Sequence, residues 1–170
     1  MSFEEIRVIT VVYLAVFLPL LIYWKYKSRL PKWIPSFYII SLVVCSLGWE
    51  LWFTYGWLDG DPVDLRRSEN LNKWLPKDIN WLLNSMGDAG AVLLGGTWLM
   101  WVTHKKNLMI FKKWNWTAFV VLYIWCVSQN IFVEMFLYND QLEDGKPLSC
   151  LLYTSPSPRD FGSSRMPSSA

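Results

Sequence analysis

Four long, mostly apolar stretches separated by short polar segments make up most of the chain. They cover residues 8–24, 34–57, 79–103 and 114–138. A membrane helix needs roughly 20 mostly apolar residues to cross a hydrocarbon core about 30 Å thick, so each stretch is long enough to span a bilayer. None of them has the polar outer face that a helix of a soluble bundle requires. The pattern therefore predicts an all-α, polytopic membrane bundle with four visible helices.

Proline and glycine positions fit this prediction. Pro19 lies inside the first stretch, and membrane helices tolerate an internal proline because neighbouring groups satisfy the freed backbone. Pro35 lies in the first turn of the second stretch, where its missing N–H has no helical partner to lose. The third stretch contains Gly87, Gly90, Gly95 and Gly96. Small residues of this kind predict close packing between membrane helices.

The loops between the stretches differ in charge, which predicts the side of the membrane on which each lies. The first loop contains Lys25, Lys27, Arg29 and Lys32, the third contains Lys105, Lys106, Lys112 and Lys113, and neither contains an acid. Loops enriched in Lys and Arg stay on the cytoplasmic side. The N-terminus is therefore expected outside the cell or in a lumen. We expect the endoplasmic reticulum in a eukaryote, or the plasma membrane in a bacterium.

Composition excludes several classes of protein. Of the 170 residues, 53% are hydrophobic and 17% are aromatic, and the formal net charge is only +2, so no nucleic-acid partner is expected. Three Cys and one His make neither a disulfide framework nor a His-based metal site. Anchoring at the membrane interface explains many of the 12 Trp, which cluster near the ends of the stretches. No cofactor or metal is expected, and the bilayer itself is the first expected partner.

The end of the chain differs from the rest. The string CLLYTSPSPRD matches the translation of a transposase-type sequencing-library adapter, and SRMPSSA fits the end of the same adapter. We therefore expect residues 1–149 to form one transmembrane domain and residues 150–170 to be an artefactual tail. A further C-terminal helix of the natural chain is expected to be missing.

Each of the last three stretches contains one acidic residue in its outer half: Glu50, Asp88 and Glu134. An ionisable residue inside a span costs roughly 2.5–3.5 kcal/mol on insertion scales, so it usually marks a function. Residues four apart share a helix face. The acids share their faces with Ser46 and Thr54 in the second stretch, Asn80 and Asn84 in the third, and Asn130 in the fourth. Three polar stripes are therefore expected to converge on one cavity.

Several kinds of chemistry are open to these residues. Carboxyl groups without Lys or Arg at matching depth are expected to be partly protonated, so that they can donate protons or hold a cation. Hydrogen bonding between helices is the simpler role, above all for the Asn and Ser residues. No interior His is present to build a di-iron site or to activate a Ser or Cys nucleophile. Acid–base work by carboxylates, cation coordination, and binding of an apolar ligand with one polar end remain.

Short segments also carry a family resemblance. The run Trp49-Glu50-Leu51-Trp52-Phe53 resembles an Ile-Glu-Gly-Trp-Phe type segment in the second helix of emopamil-binding proteins, the sterol isomerases of the EXPERA superfamily. The loop DPVDLRRSENLNKWL is similar to that of the related sigma-type receptors. The segments GAVLLGGTWLMWV and VSQNIFVEMFLY resemble the third and fourth helices of the isomerases. The resemblance covers residues 8–138.

This resemblance implies a five-helix sterol-binding fold that shifts a sterol ring double bond from the 8 to the 7 position. It implies catalytic roles for Glu50, Asp88 and Glu134, with Asp88 or Glu50 as the proton donor. The expected ligand-binding residues are Ser46, Trp49, Thr54, Asn80, Trp81, Asn84, Trp125, Gln129 and Asn130. The three Trp would face a carbocation, and helix packing is their alternative role.

The chain also departs from the family. The isomerases carry a His one turn before the acid of the second helix, where this chain has Ser46. The acids of the third and fourth helices match Asp88 and Glu134 only with a shift of one residue. A non-enzymatic lipid or amphiphile receptor or carrier is therefore the alternative to an isomerase, and an intramembrane cation or proton site is a third.

Overall fold

The computed structural model describes residues 1–56 and 61–137, and all of the regular structure in these ranges is helical. The α-helices are α1 (Phe3–Tyr26), α2 (Ile34–Leu47), α3 (Trp49–Tyr55), α4 (Val63–Arg66), α5 (Glu69–Trp74), α6 (Lys77–Asp88), α7 (Gly96–Thr103) and α8 (Trp116–Phe132). Short 3₁₀ helices cover Lys27–Arg29 and Leu108–Phe111, and π-helical segments cover Ala89–Gly95 and Val133–Leu137. The predicted all-α class is confirmed. Trp57, Tyr138 and the tail 150–170 lie outside the described residues.

Two helical stretches are long and apolar enough to cross a membrane by length and composition, Phe3–Arg29 and Ile34–Tyr55. They correspond to the first two predicted spans. In the described part of the chain, α8 is a shorter apolar helix of 17 residues, and a π-helical segment divides the third predicted span. The third and fourth spans therefore stay predictions.

The first helix begins earlier than its apolar stretch because its N-terminus is capped. The hydroxyl of Ser2 accepts from the backbone N–H of Glu5, and the Glu5 carboxylate accepts from the backbone N–H of Ser2. This reciprocal pair satisfies two backbone donors that a helix start leaves free. The helix continues through Pro19, as expected.

The second predicted helix is interrupted at Gly48. This residue has φ −100° and ψ −107°, outside the helical region, and it separates α2 from α3. A Cβ atom at this position would lie 2.7 Å from the carbonyl oxygen of Val44, so only glycine fits without a shift. Pro35 lies in the first turn of α2, as predicted.

The helical segment from Lys77 to Thr103 is the centre of the bundle. Its α6 portion packs against α1, α2 and α3, and its α7 portion packs against α8. Close approach depends on glycine: a Cβ on Gly87 would lie 3.3 Å from the Cβ of Ala15, and one on Gly96 would lie 2.5 Å from a methyl carbon of Leu122. The predicted role of these glycines in close packing is confirmed.

The last described helix starts at Trp116 rather than at Trp114. The side chain of Asn115 accepts from the backbone N–H of Ala118 at 3.0 Å, so Asn115 is the N-cap. The α-helix ends at Phe132 and continues as the π-helical segment.

The second loop, which is polar in sequence, folds back over one end of the bundle. Leu71 and Leu75, from α5 and the residue after it, are buried with Val8 and Val12 of α1. The Ser68 hydroxyl donates to the Glu5 carboxylate at 2.6 Å. The N-terminus and the second loop therefore lie at the same end of the molecule, which we call the acidic end.

The two basic loops meet at the opposite end, which we call the basic end. The ring of Trp33, after the first basic loop, lies 6.1 Å from the ring of Phe111 in the third loop. Leu30 and Ile34 are buried with Trp101 in the same cluster. The two basic loops thus lie at one end of the molecule, and the N-terminus and the second loop lie at the other. The charge pattern predicts the same grouping of the loops.

Candidate functional site

Glu50 on α3 and Asp88 on α6 form a pair of interacting acids. Their carboxyl groups interact electrostatically with each other and with the thiol of Cys45. Only 2% of Glu50 is exposed, and Asp88 is partly buried. Asn84 and Thr54 also face the Glu50 carboxyl group. The structure thus brings the polar stripes of the second and third predicted spans together.

Four buried polar atoms on these two helices have no hydrogen-bond partner among the described residues. They are Oε2 of Glu50, Nε1 of Trp52, Oγ1 of Thr54 and Nδ2 of Asn80. Thr54 and Asn80 are both 0% exposed. Buried polar atoms in folded proteins nearly always bond to protein or to ordered water. This region would therefore stabilise the polar group of a ligand or an internal water molecule.

The break at Gly48 sets the position of Glu50 two residues later. Beside the break, the carbonyl of Ser46 accepts from the indole N–H of Trp81 at 2.8 Å. Trp81 belongs to α6, which also carries Asp88, so this bond fixes the two acid-bearing helices against each other. The Trp81 ring also meets the ring of Tyr55, edge on, at 6.4 Å.

Asp88 is the last residue of α6, directly before the π-helical segment Ala89–Gly95. In a π-helical segment the hydrogen bonds join residues five apart rather than four, so the turns are wider. Such segments are frequent at functional sites. The carbonyl of Ala91 inside the segment accepts from the indole N–H of Trp125 at 2.8 Å. Both irregular helices beside the acids are therefore fastened by a tryptophan from a neighbouring helix.

Of the aromatic candidates, Trp125 has a packing role. Its ring lies 3.4 Å from the position of a Cβ on Gly95, on the α8 side of the central helix. Trp49 is partly buried, and its ring lies 5.2 Å from the ring of Trp52. The Ser46 hydroxyl donates to the carbonyl of Val43 at 3.1 Å, within its own helix.

The structure does not bring Asn130 of the fourth polar stripe to the acid pair. Asn130 is exposed, and Gln129 is partly buried. The helix that carries them packs chiefly along α7. The side chain of Glu134 lies outside the described residues, so its predicted role is neither supported nor opposed.

Arg67, which the sequence placed in a mixed polar loop, is buried at 3% exposure. Its guanidinium donates to the side-chain oxygen of Asn72 at 2.7 Å, to the side-chain oxygen of Asn80 at 2.9 Å, and to the carbonyl of Leu75. Desolvation lowers the pKa of Arg67 to about 10, so the group stays charged at neutral pH. The loop is thereby fixed to Asn80, one of the predicted ligand-binding residues.

Arg66 is also buried, at 1% exposure. It donates to the carbonyl of Phe53, and its guanidinium carbon lies 5.1 Å from the centre of the Phe53 ring. Sequence reasoning missed both arginines because it counted them as loop charges. The available signal was the apolar spacing of Val63, Leu71 and Leu75 around them, which indicates a folded cap.

The placement of the acids can be compared with what a metal site and a proton site each require. Within residues 1–56 and 61–137, no group of three or more His, Cys, Asp and Glu side chains is placed to hold a metal ion. Two neighbouring carboxyl groups in a poorly hydrated site instead favour a state in which one holds a proton and the other accepts one.

Comparison with protein-family models, curated proteins and solved structures finds no match to this chain. Its function is therefore inferred from its own residues and their geometry.

Proposed function

We propose that this chain is a four-span membrane protein that binds a sterol or a similar apolar lipid at the Glu50–Asp88 pair. We further propose that the acids shift the ring double bond of a bound sterol from the 8 to the 7 position. The motif resemblance of residues 49–53 to sterol isomerases supports the choice of ligand.

The surface of the helices supports a membrane location. Large apolar side chains are exposed along α1, α2 and α8, among them Leu18, Leu21, Ile39, Ile40, Val44, Val120, Ile124 and Ile131. Soluble monomers rarely expose contiguous apolar patches of this extent. Contact with lipid tails would cover these faces without a protein partner.

The observation that carries the proposal is the buried carboxyl group of Glu50, one oxygen of which has no hydrogen-bond partner among the described residues. It is 2% exposed, its Oε2 has no hydrogen-bond partner among the described residues, and it faces Asp88. Buried polar side-chain atoms nearly always have a hydrogen-bond partner in protein or in ordered water, so this oxygen is a place where a ligand would bind. A hydroxyl group of a bound lipid, or the reacting carbon of its ring, would be the missing partner of Glu50 Oε2.

The proposed reaction needs one protonated and one unprotonated acid. One carboxyl group donates its proton to C9 of the sterol, so that the 8,9 double bond becomes a carbocation at C8. The partner carboxylate then removes a proton from C7, and the 7,8 double bond forms. The proton count of the pair is unchanged, so no cofactor is required. Trp49 and Trp81 belong to the helices that carry the acids, where their π faces would stabilise the cation.

Glu50→Gln separates catalysis from binding. The amide keeps the shape of the carboxyl group and cannot exchange a proton, so we expect loss of turnover with sterol affinity changed less than about threefold. Purified protein in lipid nanodiscs is incubated with a Δ8 sterol, and both product formation and equilibrium binding are measured. Glu69→Gln, at an exposed position on α5, is the matched control and should match the wild type. Absence of sterol binding by the wild type would refute the proposal.

A receptor for a cationic amphiphile is the second candidate. It is favoured by Ser46, whose hydroxyl is bonded within its own helix and supplies no base one turn before Glu50. In that case the acid pair would bind the ligand's ammonium group, and Glu50→Gln would lower affinity by tenfold or more while no turnover would occur in the wild type.

A further inference from the structure

A cleft of about 280 Å³ lies at the basic end, between α7, the third loop and the start of α8. It is bounded by Met100 of α7, by Phe111 of the 3₁₀ helix, and by Ala118 and Leu122 of α8. Lys112 and Lys113 lie at its rim. The floor is therefore apolar and the rim cationic.

We propose that this cleft binds an anionic phospholipid. The first part of one acyl chain would pack on Met100, Phe111 and Leu122, and the headgroup phosphate would lie between Lys112 and Lys113. A volume slightly below the 300–1,000 Å³ of typical ligand pockets suits part of a lipid rather than a whole one. The inference rests on the proposed membrane location and is independent of the acid pair.

Charge complementarity supports an anionic ligand. Both lysines are exposed, and residues 104–113 contain no acid that would neutralise them. Juxtamembrane basic residues attract the anionic lipids of the cytoplasmic leaflet. The apolar floor distinguishes a lipid from a free phosphate ion, which has no group to place on Leu122 or Phe111.

The aromatic residues beside the cleft indicate its depth in the membrane. Trp114 and Trp116 are 67% and 70% exposed, and their rings meet edge to face at 5.1 Å. Phe119 completes this cluster, 5.3 Å from the Trp114 ring. Exposed tryptophans are typical of the headgroup level of a bilayer. The cleft would therefore lie where a lipid has both its phosphate and the first carbons of its tails.

The test uses native mass spectrometry of the full chain, with phosphatidylglycerol titrated against a phosphatidylcholine background. The double variant Lys112→Gln/Lys113→Gln is expected to bind phosphatidylglycerol about thirtyfold more weakly, at roughly a factor of five for each lysine. The charge-preserving variant Lys112→Arg/Lys113→Arg should keep the wild-type affinity. Unchanged melting temperatures would confirm that both variants fold.

A matched control removes the same charge from the other basic loop. Lys25→Gln/Lys27→Gln should weaken binding less than threefold, since those lysines do not line the cleft. Equal losses in both double variants would overturn the proposal, because attraction would then depend on total charge alone. Displacement of the lipid by millimolar inorganic phosphate would also overturn it, in favour of a simple anion site.

Discussion

At the scale of single residues, the molecule buries polar groups of two kinds. Arg67 is buried with an acceptor for each of its three nitrogen atoms. Glu50 is buried with one carboxyl oxygen unpartnered among the described residues. Since an unmade hydrogen bond in a buried site costs about 1–3 kcal/mol, the first arrangement stabilises the fold, and the second is the basis of the binding site that we propose.

The first prediction at this scale concerns Asp88. If it is an uncharged acid beside Glu50, Asp88→Asn should leave the melting temperature unchanged or raised, because the amide keeps the shape and removes the cost of ionisation. Turnover of the sterol should still be lost. Thermal melts in detergent at neutral pH compare this variant with Asp61→Asn, at an exposed position. Destabilisation by more than about 1.5 kcal/mol would indicate an ionised, hydrogen-bonded Asp88 and contradict a proton-donor role.

The second concerns Arg67. Arg67→Met should lower the free energy of unfolding by about 3 kcal/mol, because Asn72, Asn80 and the Leu75 carbonyl lose a charged donor inside the protein. Chemical denaturation measures the change. Arg29→Met is the control, since Arg29 is exposed at the basic end and should change stability little. Equal effects of the two substitutions would show that the cap does not depend on Arg67.

At the scale of elements, each acid of the pair lies next to an irregularity in its helix. Glu50 follows the break at Gly48 by two residues, and Asp88 directly precedes the π-helical segment Ala89–Gly95. Beside each acid, an indole N–H donates to a carbonyl of the irregular backbone. Trp81 donates to the carbonyl of Ser46, and Trp125 donates to the carbonyl of Ala91. In a membrane, neighbouring groups must satisfy the backbone that an irregular helix frees, and in the proposed bundle each of these bonds would satisfy one such carbonyl.

Gly48→Ala tests whether the break positions Glu50. The added Cβ would lie 2.7 Å from the Val44 carbonyl oxygen, so we expect a loss of about 2 kcal/mol in stability and a loss of sterol turnover. Gly95→Ala is a suitable control, because the nearest atom to its Cβ would be an ordinary 3.4 Å away on Trp125. Thermal melts and turnover of both variants are compared. A fully active Gly48→Ala protein would show that the break is dispensable.

These elements also show which features a sequence can predict. Apolar length and periodicity predicted the helices because burial in lipid or protein depends on hydrophobicity alone. The break at Gly48 and the π-helical segment are bonded by Trp81 and Trp125, which come from other helices, and such contacts leave no local pattern in the sequence. The convergence of Glu50, Thr54, Asn84 and Asp88 followed from spacing on each helix, whereas the exposure of Asn130 depends on how α8 packs.

At the scale of the whole molecule, charge and apolar surface are arranged along one axis. The loops that contain Lys25 and Lys112 meet at the basic end, and the N-terminus meets the second loop at the acidic end. Between the ends, α1, α2 and α8 expose apolar faces. In the topology that we propose, the bundle crosses the bilayer with its basic end in the cytoplasm.

Site-directed labelling tests this orientation. Single cysteines introduced at Ser28 and Asn107, both exposed at the basic end, should react with an impermeant maleimide only from the cytoplasmic side. One introduced at Glu69, exposed at the acidic end, should react only from the opposite side. A variant without the native Cys45, Cys126 and Cys150 provides the background. Labelling of all three positions from one side would exclude the proposed topology.

Deuterium incorporation tests the proposed action of the acid pair most directly. Wild-type protein in nanodiscs is incubated with a Δ8 sterol in D₂O, and the recovered sterol is examined by mass spectrometry and NMR. We predict a Δ7 product with one deuterium at C9, formed by the wild type and by Glu69→Gln, and absent with Glu50→Gln and with Asp88→Asn. Recovery of unchanged sterol from the wild type, or conversion by the two acid variants at the wild-type rate, would contradict the assignment of this chemistry to Glu50 and Asp88.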